Sequence, residues 1–308
     1  MTIPVAAERI ADDADHLIGA AGKSAWTFDL GPVDGAAAVR VKVLSGYGLN
    51  CEAETAAGFR MLGAQAEIVH AGDLLEAGAA ALDGVHMLAF TGGFSFGDHI
   101  ASGRVLANRL RYRLADALAR FVDDGGHVIG ICNGFQTIAK LGLVPALGRA
   151  RGDALAEQQV SIVDNDRLGY RDAWVRLGAI AKSPCAFTRG SSGVPLAVPA
   201  RHGEGKIVFA DDAIRDAAWR EGLVPLVYVD ANAAPTETWP DNPNGSANGA
   251  AALCDTTGRV FGVMPHPEAF LYPQNHPDYT RWRAAGRVPA RGDGLGILAN
   301  GVRSVLGS

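Results

Sequence analysis

Two short segments far apart in the chain carry residues that together could perform nucleophilic catalysis. Cys132 stands in the sequence GICNG (residues 130–134), and His266 and Glu268 stand in the sequence MPHPE (residues 264–268). A thiol becomes a strong nucleophile when a base takes its proton, and a third group must fix the tautomer of that base. A cysteine, a histidine and a glutamate therefore predict a Cys-His-Glu catalytic triad.

The glycines around Cys132 form the pattern G-x-C-x-G, which is typical of a nucleophile elbow. The β-prone residues 127–129 precede it and residues 135–141 have a helical pattern, so Cys132 is predicted on a sharp turn from strand to helix. Glycines two places on either side let such a turn pass close to neighbouring strands, where a Cβ would clash. The following helix points the positive end of its dipole at the sulfur, which favours the thiolate.

Two prolines favour an extended conformation in the second segment. Each proline disfavours helical geometry at the residue before it, and in an extended chain residues i and i+2 point the same way. His266 and Glu268 can therefore face one site, where the carboxylate orients the imidazole that takes the thiol proton.

A metal site made of His266, Glu268 and His276 is an alternative. Because no second closely spaced His or Cys pair completes a ligand set, we predict no metal.

Six sequence blocks resemble those of one enzyme family. They are SGYGLNCE (45–52), GGFSFGD (92–98), GICNGFQ (130–136), HGEG (202–205), NPNGS (242–246) and MPHPE (264–268). Together they resemble the class I glutamine amidotransferases, and NPNGS resembles a loop of the glutaminase subunits of phosphoribosylformylglycinamidine synthase. The resemblance covers about residues 39–270, so we expect an amidotransferase domain there, with terminal extensions at residues 1–38 and 271–308.

The resemblance implies a reaction and a substrate. Cys132 would attack the side-chain amide of glutamine, His266 would pass a proton to the leaving ammonia, and water would hydrolyse the thioester to release glutamate. Two functions of other kinds remain open. A stand-alone cysteine hydrolase, such as a γ-glutamyl hydrolase or peptidase, would not need the NPNGS loop, and a catalytically silent regulatory subunit would be expected to lack part of the triad.

The glycine-rich residues 92–98 admit two interpretations. Glycines after a strand can hold phosphate, but neither the Lys-Ser/Thr of a P-loop nor a G-x-G-x-x-G follows, so an oxyanion hole is favoured. By the resemblance, its donors are the backbone N–H groups of Gly93 or Phe94 and of Asn133. Gln136 is a candidate for holding the glutamine side of the pocket, or is an ordinary helix residue.

The resemblance also implies partners. Ammonia would pass to a large synthetase subunit, with or without a small third subunit, which uses ATP and Mg²⁺ to convert formylglycinamide ribonucleotide to formylglycinamidine ribonucleotide in purine biosynthesis. This chain itself is expected to bind no cofactor. For His202 we favour a structural or partner-facing role over that of a second catalytic histidine. We also expect Asn242, Asn244 and Ser246 to face the partner.

The composition is typical of a cytoplasmic enzyme. The chain has 308 residues, 48% of them hydrophobic, with a net charge of −5 and a pI of about 5.9. It contains no basic run that could hold a nucleic-acid backbone.

Its four cysteines show no C-x-x-C spacing, which favours a reducing compartment. Acidic residues interrupt the N-terminal segment, and no apolar run approaches the ~18 to 20 residues of a membrane span. We expect a cytoplasmic location without membrane contact.

Strand and helix patterns alternate in the first half of the chain. Strands are predicted at residues 39–44, 66–70, 85–90 and 127–131, and helices at residues 51–62 and 104–122. This rhythm predicts an α/β fold with a mostly parallel, doubly wound, flavodoxin-like sheet, whose site lies at the carboxyl ends of the strands. Further strands, predicted as antiparallel additions, fall at residues 159–163, 173–177, 193–198, 206–209, 226–229, 251–254 and 260–263. Residues 231–248 are predicted to form a long loop.

Overall fold

The computed structural model describes residues 24–307, so the first 23 residues of the predicted N-terminal extension lie outside the described part. The strands are β1 Arg40–Ser45, β2 Gln65–His70, β3 Met87–Phe90, β4 His127–Ile131, β5 Val160–Asp164, β6 Arg171–Ala179, β7 Leu196–His202, β8 Glu204–Phe209, β9 Leu226–Tyr228, β10 Ala252–Cys254 and β11 Val260–Val263. The α-helices are α1 Glu52–Met61, α2 Ala71–Ala77, α3 Arg104–Asp123, α4 Asn133–Lys140, α5 Asp212–Arg220, α6 Tyr279–Ala284 and α7 Leu295–Leu306.

A six-stranded sheet forms the centre of the fold, in the order β10-β11-β4-β3-β1-β2. All neighbours in it run parallel except β10 and β11. Every residue of β3, β4 and β11 is buried, as expected for parallel strands that are covered on both faces. The predicted mostly parallel α/β fold is therefore confirmed.

Two smaller antiparallel sheets are added to this centre. One pairs β5 with β8, and the other has the order β7-β6-β9, which confirms the predicted antiparallel additions. The antiparallel prediction for residues 260–263 holds for one neighbour only: β11 is antiparallel to β10, but it runs parallel to β4 in the central sheet, with Val263 opposite Ile131. A strand pattern does not reveal which distant strand will be its neighbour. This pairing places the chain that follows β11 beside the chain that follows β4.

The C-terminal helix belongs to the same hydrophobic core. Five apolar residues of α7 are completely buried, namely Leu295, Ile297, Leu298, Ala299 and Val302. The helix packs on α1 so closely that a Cβ at Gly58 would lie 2.4 Å from Cδ1 of Leu298. Near its start, Trp26 donates from Nε1 to the carbonyl of Asp293 at 2.7 Å. The two ends of the described chain are thus fastened to each other.

Candidate active site

Cys132 lies on the sharp turn that its glycines predicted. It follows β4 directly and precedes α4, with φ 51° and ψ −107°, a conformation that is strained for a residue with a Cβ. A Cβ at Gly130 would lie 2.8 Å from the carbonyl oxygen of Gly134, and one at Gly134 would lie 2.0 Å from that of Phe90. The N–H of Cys132 donates to Val263 of β11 at 2.8 Å. The elbow is therefore held by β4 and β11 together.

His266 and Glu268 lie next to this elbow because β11 delivers them there. Both residues are buried, and the imidazole Nδ1 is 2.5 Å from Glu268 Oε1. The backbone N–H of His266 donates to the carbonyl of Pro199 at 2.7 Å, which fixes the segment against β7. Nε2 of His266 is buried and has no hydrogen-bond partner among the described residues. This nitrogen is therefore available to exchange a proton with a thiol or a substrate.

The electrostatics of the site favour a charged imidazole. Burial by itself opposes the charge, but the Glu268 carboxylate and then the nearby Cys132 together raise the pKa of His266 well above its usual value. The Sγ atom of Cys132 also lies 3.6 Å from the carbonyl oxygen of Arg201, to which the thiol donates a hydrogen bond. The arrangement is suited to a thiolate and an imidazolium that stabilise each other.

Two backbone N–H groups near the elbow have no hydrogen-bond acceptor among the described residues. Gly93, with φ 138°, has no acceptor for its N–H among the described residues, and the N–H of Asn133 belongs to the first turn of α4, which has no intrahelical partner. The N–H of Phe94, in contrast, donates to the carbonyl of Gly48 at 2.9 Å. Of the three residues expected to supply an oxyanion hole, only Gly93 and Asn133 have an available N–H in this conformation.

The side chains of Asn133 and Gln136 link the elbow to its surroundings. Asn133 donates from Nδ2 to Asp98 at 3.0 Å and to Oε1 of Gln136 at 2.9 Å, and accepts from the N–H of Ser95. Gln136 donates from Nε2 to the carbonyl of Glu204 at 2.7 Å. Both ends of the Gln136 amide are therefore already engaged within the protein. The network fixes the glycine-rich loop relative to the elbow.

The four residues expected to face a partner are instead buried. The exposed fraction is 2% for His202 and Asn242 and 0% for Asn244 and Ser246. In this conformation the four side chains offer no exposed surface to a docked protein. This contradicts the expectation for Asn242, Asn244 and Ser246, whereas for His202 it agrees with the structural role that was the other expectation. His202 pairs through Nδ1 with Oδ1 of Asn165 at 3.1 Å. Burial, and then the nearby charge of His266, lowers the pKa of His202 to about 3, so it stays neutral.

The NPNGS loop fastens separate strands together. Asn244 donates from Nδ2 to the hydroxyl of Tyr228 in β9 at 3.0 Å and accepts from the hydroxyl of Ser246 at 2.8 Å. That hydroxyl in turn accepts from the N–H of Ile207 in β8 at 2.9 Å. Asn242 accepts from the N–H of Gly245 at 2.9 Å. The polar loop is therefore an internal connector, and its polarity reflects satisfied backbone groups.

Cys51 is a neighbour of the predicted triad, and the sequence analysis did not single it out. Its Sγ lies 3.9 Å from Nδ1 of His266, and burial raises the pKa of its thiol. Within residues 24–307, Cys51, His266 and Glu268 form the one group of side chains whose ligand atoms could hold a metal ion. His276 lies elsewhere, with its ring stacked on Trp282 at 4.3 Å. No spacing rule relates Cys51 to a histidine so distant in the chain.

Comparison with known proteins shows the family of this chain. The model of the CobB/CobQ-like glutamine amidotransferase domain matches residues 38–303. The phosphoribosylformylglycinamidine synthase subunit PurQ of Dehalococcoides mccartyi is 36% identical over 266 residues, 86% of this chain and 97% of that protein. The chain belongs to the PurQ family of glutamine amidotransferases. Another PurQ, from Methanococcus maripaludis strain S2, is 37% identical over 78% of this chain and 85% of its own length.

A solved structure shows that the fold is shared as well. A chain in the structure of PurLQS from Thermotoga maritima superposes with a TM-score of 0.63 at 23% identity, covering 86% of this chain and 98% of that one. This similarity confirms the glutamine amidotransferase fold.

Within the described residues, none of the helices combines the length and the apolar character that crossing a membrane requires.

Proposed function

We propose that this PurQ family chain hydrolyses glutamine with Cys132 as nucleophile, His266 as base and acid, and Glu268 as the group that orients His266. One observation carries the proposal. A buried imidazole is bonded to a carboxylate through Nδ1, has its Nε2 unpartnered, and lies close enough to an elbow cysteine for the two charges to interact. This is the arrangement that an activated thiol requires.

The proposed reaction passes through a thioester. The Cys132 thiolate attacks the side-chain carbonyl of glutamine, and the developing oxyanion receives hydrogen bonds from the N–H groups of Gly93 and Asn133. His266 then gives its Nε2 proton to the departing ammonia. Water, deprotonated by the same nitrogen, hydrolyses the thioester and releases glutamate. Glu268 keeps the imidazole in one tautomer and stabilises its positive charge in both steps.

The ammonia is proposed to serve a synthetase subunit. The relatives are named as subunits of phosphoribosylformylglycinamidine synthase, and the similar solved chain comes from PurLQS. We propose that a large partner uses ATP and Mg²⁺ to amidate formylglycinamide ribonucleotide with this ammonia, in a complex that also includes a small third subunit. No cofactor of this chain takes part in the proposed steps. The cytoplasmic location stays a prediction.

Two nitrogen sources can separate the proposed roles. In the reconstituted complex, Cys132→Ala should abolish synthesis supported by glutamine and leave synthesis supported by ammonium salts intact, because only glutamine hydrolysis uses the thiol. Cys185→Ala is the matched control, since Cys185 is another buried cysteine and should keep both activities. Glutamine-dependent turnover by the Cys132 variant would refute the assignment of the nucleophile.

A further inference from the structure

Cys51 and two residues of the proposed triad form a compact set of metal ligands. The Sγ of Cys51, an imidazole nitrogen of His266 and a carboxylate oxygen of Glu268 all lie within 4.8 Å of one another. Sγ is 3.9 Å from Nδ1, and Nδ1 is 2.5 Å from Oε1. Ligand atoms around a tetrahedral zinc ion are about 3.3 to 3.6 Å apart, given the usual bond lengths. Shifts of about 1 Å would therefore bring the three atoms to that geometry.

The surroundings of these atoms favour a cation. The second carboxylate oxygen of Glu268 is buried and has no hydrogen-bond partner within the described residues, although the residue is only 1% exposed. A buried unpartnered carboxylate oxygen is costly, and a cation would satisfy it. Gly92 makes the approach of the two other ligands possible, because a Cβ there would lie 2.8 Å from Cε1 of His266 and 3.1 Å from Sγ of Cys51.

From these contacts we infer that Cys51, His266 and Glu268 bind a thiophilic divalent cation such as Zn²⁺, and that this binding inhibits the enzyme. Thiolate, imidazole and carboxylate are the three protein ligand types that zinc prefers, and water can take the fourth position. A thiolate and a carboxylate also neutralise the two charges of the ion, so the occupied site would be electrically neutral within the protein interior.

Inhibition follows from the positions of the protons. The cation displaces the thiol proton of Cys51, which leaves to solvent, and takes the lone pair of Nδ1. In neutral His266 the Nδ1 proton then moves to Nε2, and in the imidazolium it is lost while Nε2 keeps its own proton. In both cases Nε2 carries a hydrogen and has no free lone pair. His266 can then no longer accept a proton from Cys132 or from water. This consequence rests on the proposed function, whereas the binding itself does not.

Cobalt(II) can report the binding without any activity measurement. Co²⁺ bound to a thiolate gives a near-ultraviolet charge-transfer absorption, and tetrahedral Co²⁺ gives strong visible bands. Full-length Cys132→Ala should show both on titration with Co²⁺, because the cysteine of the elbow is not a ligand. In Cys132→Ala/Cys51→Ser the charge-transfer band should disappear. Its absence from Cys132→Ala would overturn the proposal, and its persistence in the double variant would assign the thiolate to another cysteine.

Inhibition provides the second measurement, on a chain that keeps its nucleophile. Cys51→Ala should hydrolyse glutamine like the wild type in the presence of a chelator, and its half-inhibiting Zn²⁺ concentration should be at least tenfold higher. Equal inhibition of both would show that Zn²⁺ acts elsewhere, for instance on Cys132, and would refute the inference. If the wild type failed to hydrolyse glutamine at all, the proposed function would fail while the cobalt result would still decide the binding site.

Discussion

Replacing Glu268 by glutamine tests how the buried carboxylate assists the imidazole. The substitution keeps the size of the side chain, and Oε1 of the amide can still accept from Nδ1 of His266. The carboxylate has no second hydrogen-bond partner within residues 24–307 that would force the amide to turn its NH₂ group toward the imidazole. In the wild type, the bond between Nδ1 of His266 and Oε1 of Glu268 is charge-assisted and 2.5 Å long. We therefore expect Glu268→Gln to replace it with a neutral hydrogen bond.

The expected loss is moderate. Hydrogen bonds to charged groups contribute about 1.5–3 kcal/mol and neutral ones about 0.5–1.5 kcal/mol, so their difference is about 1–1.5 kcal/mol. That corresponds to a decrease of roughly 5- to 13-fold in kcat/KM for glutamine. Glu268→Ala removes the whole bond and should lose roughly 10- to 150-fold. His266→Ala should cost nearly as much as Cys132→Ala, because triad members act as a unit.

The pH dependence gives an independent check. Burial lowers the pKa of His266, but the Glu268 carboxylate, followed by Cys132, outweighs it and raises this pKa. With glutamine at this position the pKa of His266 should fall, so the imidazolium should be lost at lower pH. The alkaline limb of the kcat/KM profile should therefore move to lower pH. Glu76→Gln, the same change at an exposed carboxylate of α2, should leave both rate and profile unchanged. If Glu268→Gln behaved like Glu76→Gln, the orienting role would be wrong.

Three further predictions concern the surroundings of the triad. Gly92→Ala should lower the rate of glutamine hydrolysis without loss of the fold, because its Cβ would push His266 away; a wild-type rate in a folded variant would contradict this. Asn244→Ala should destabilise the chain by about 1–3 kcal/mol, since it breaks three buried hydrogen bonds of the Asn244 side chain. A thermal melt should show this decrease, whereas the exposed Asn232→Ala should melt like the wild type. Finally, the isolated chain should hydrolyse glutamine more slowly than the complex, because a partner is expected to reshape the loop that carries Gly93; equal rates in a glutaminase assay would exclude such coupling.

Burial changes the interpretation of the NPNGS loop. Its polar residues suggested a surface for a partner, yet Asn242, Asn244 and Ser246 lie inside and connect β8 and β9. Sequence patterns alone could not distinguish the two cases, because the same side chains can bind a partner or satisfy buried backbone groups. Which of these occurs depends on whether neighbouring strands close over the loop.

Features that arise from local geometry could be predicted from the sequence. The glycines flanking Cys132 predicted the elbow. At these two positions a Cβ would clash with the backbone of the turn or of the adjacent strand. The alternation of strand and helix patterns predicted the parallel sheet, because each pattern reflects the burial of one element. His266 and Glu268 could be grouped in advance, since they lie two residues apart in the same short segment.

The contacts between distant segments could not be predicted in this way and became visible in the folded chain. The parallel pairing of β11 with β4 brings His266 to Cys132, and residues 260–263 alone gave no sign of it. The approach of Cys51 to His266 and the burial of α7 against α1 have the same origin. Strand order and helix docking are set by the free energy of burying whole faces against one another. That free energy depends on residues far apart in the chain, so no local pattern contains it.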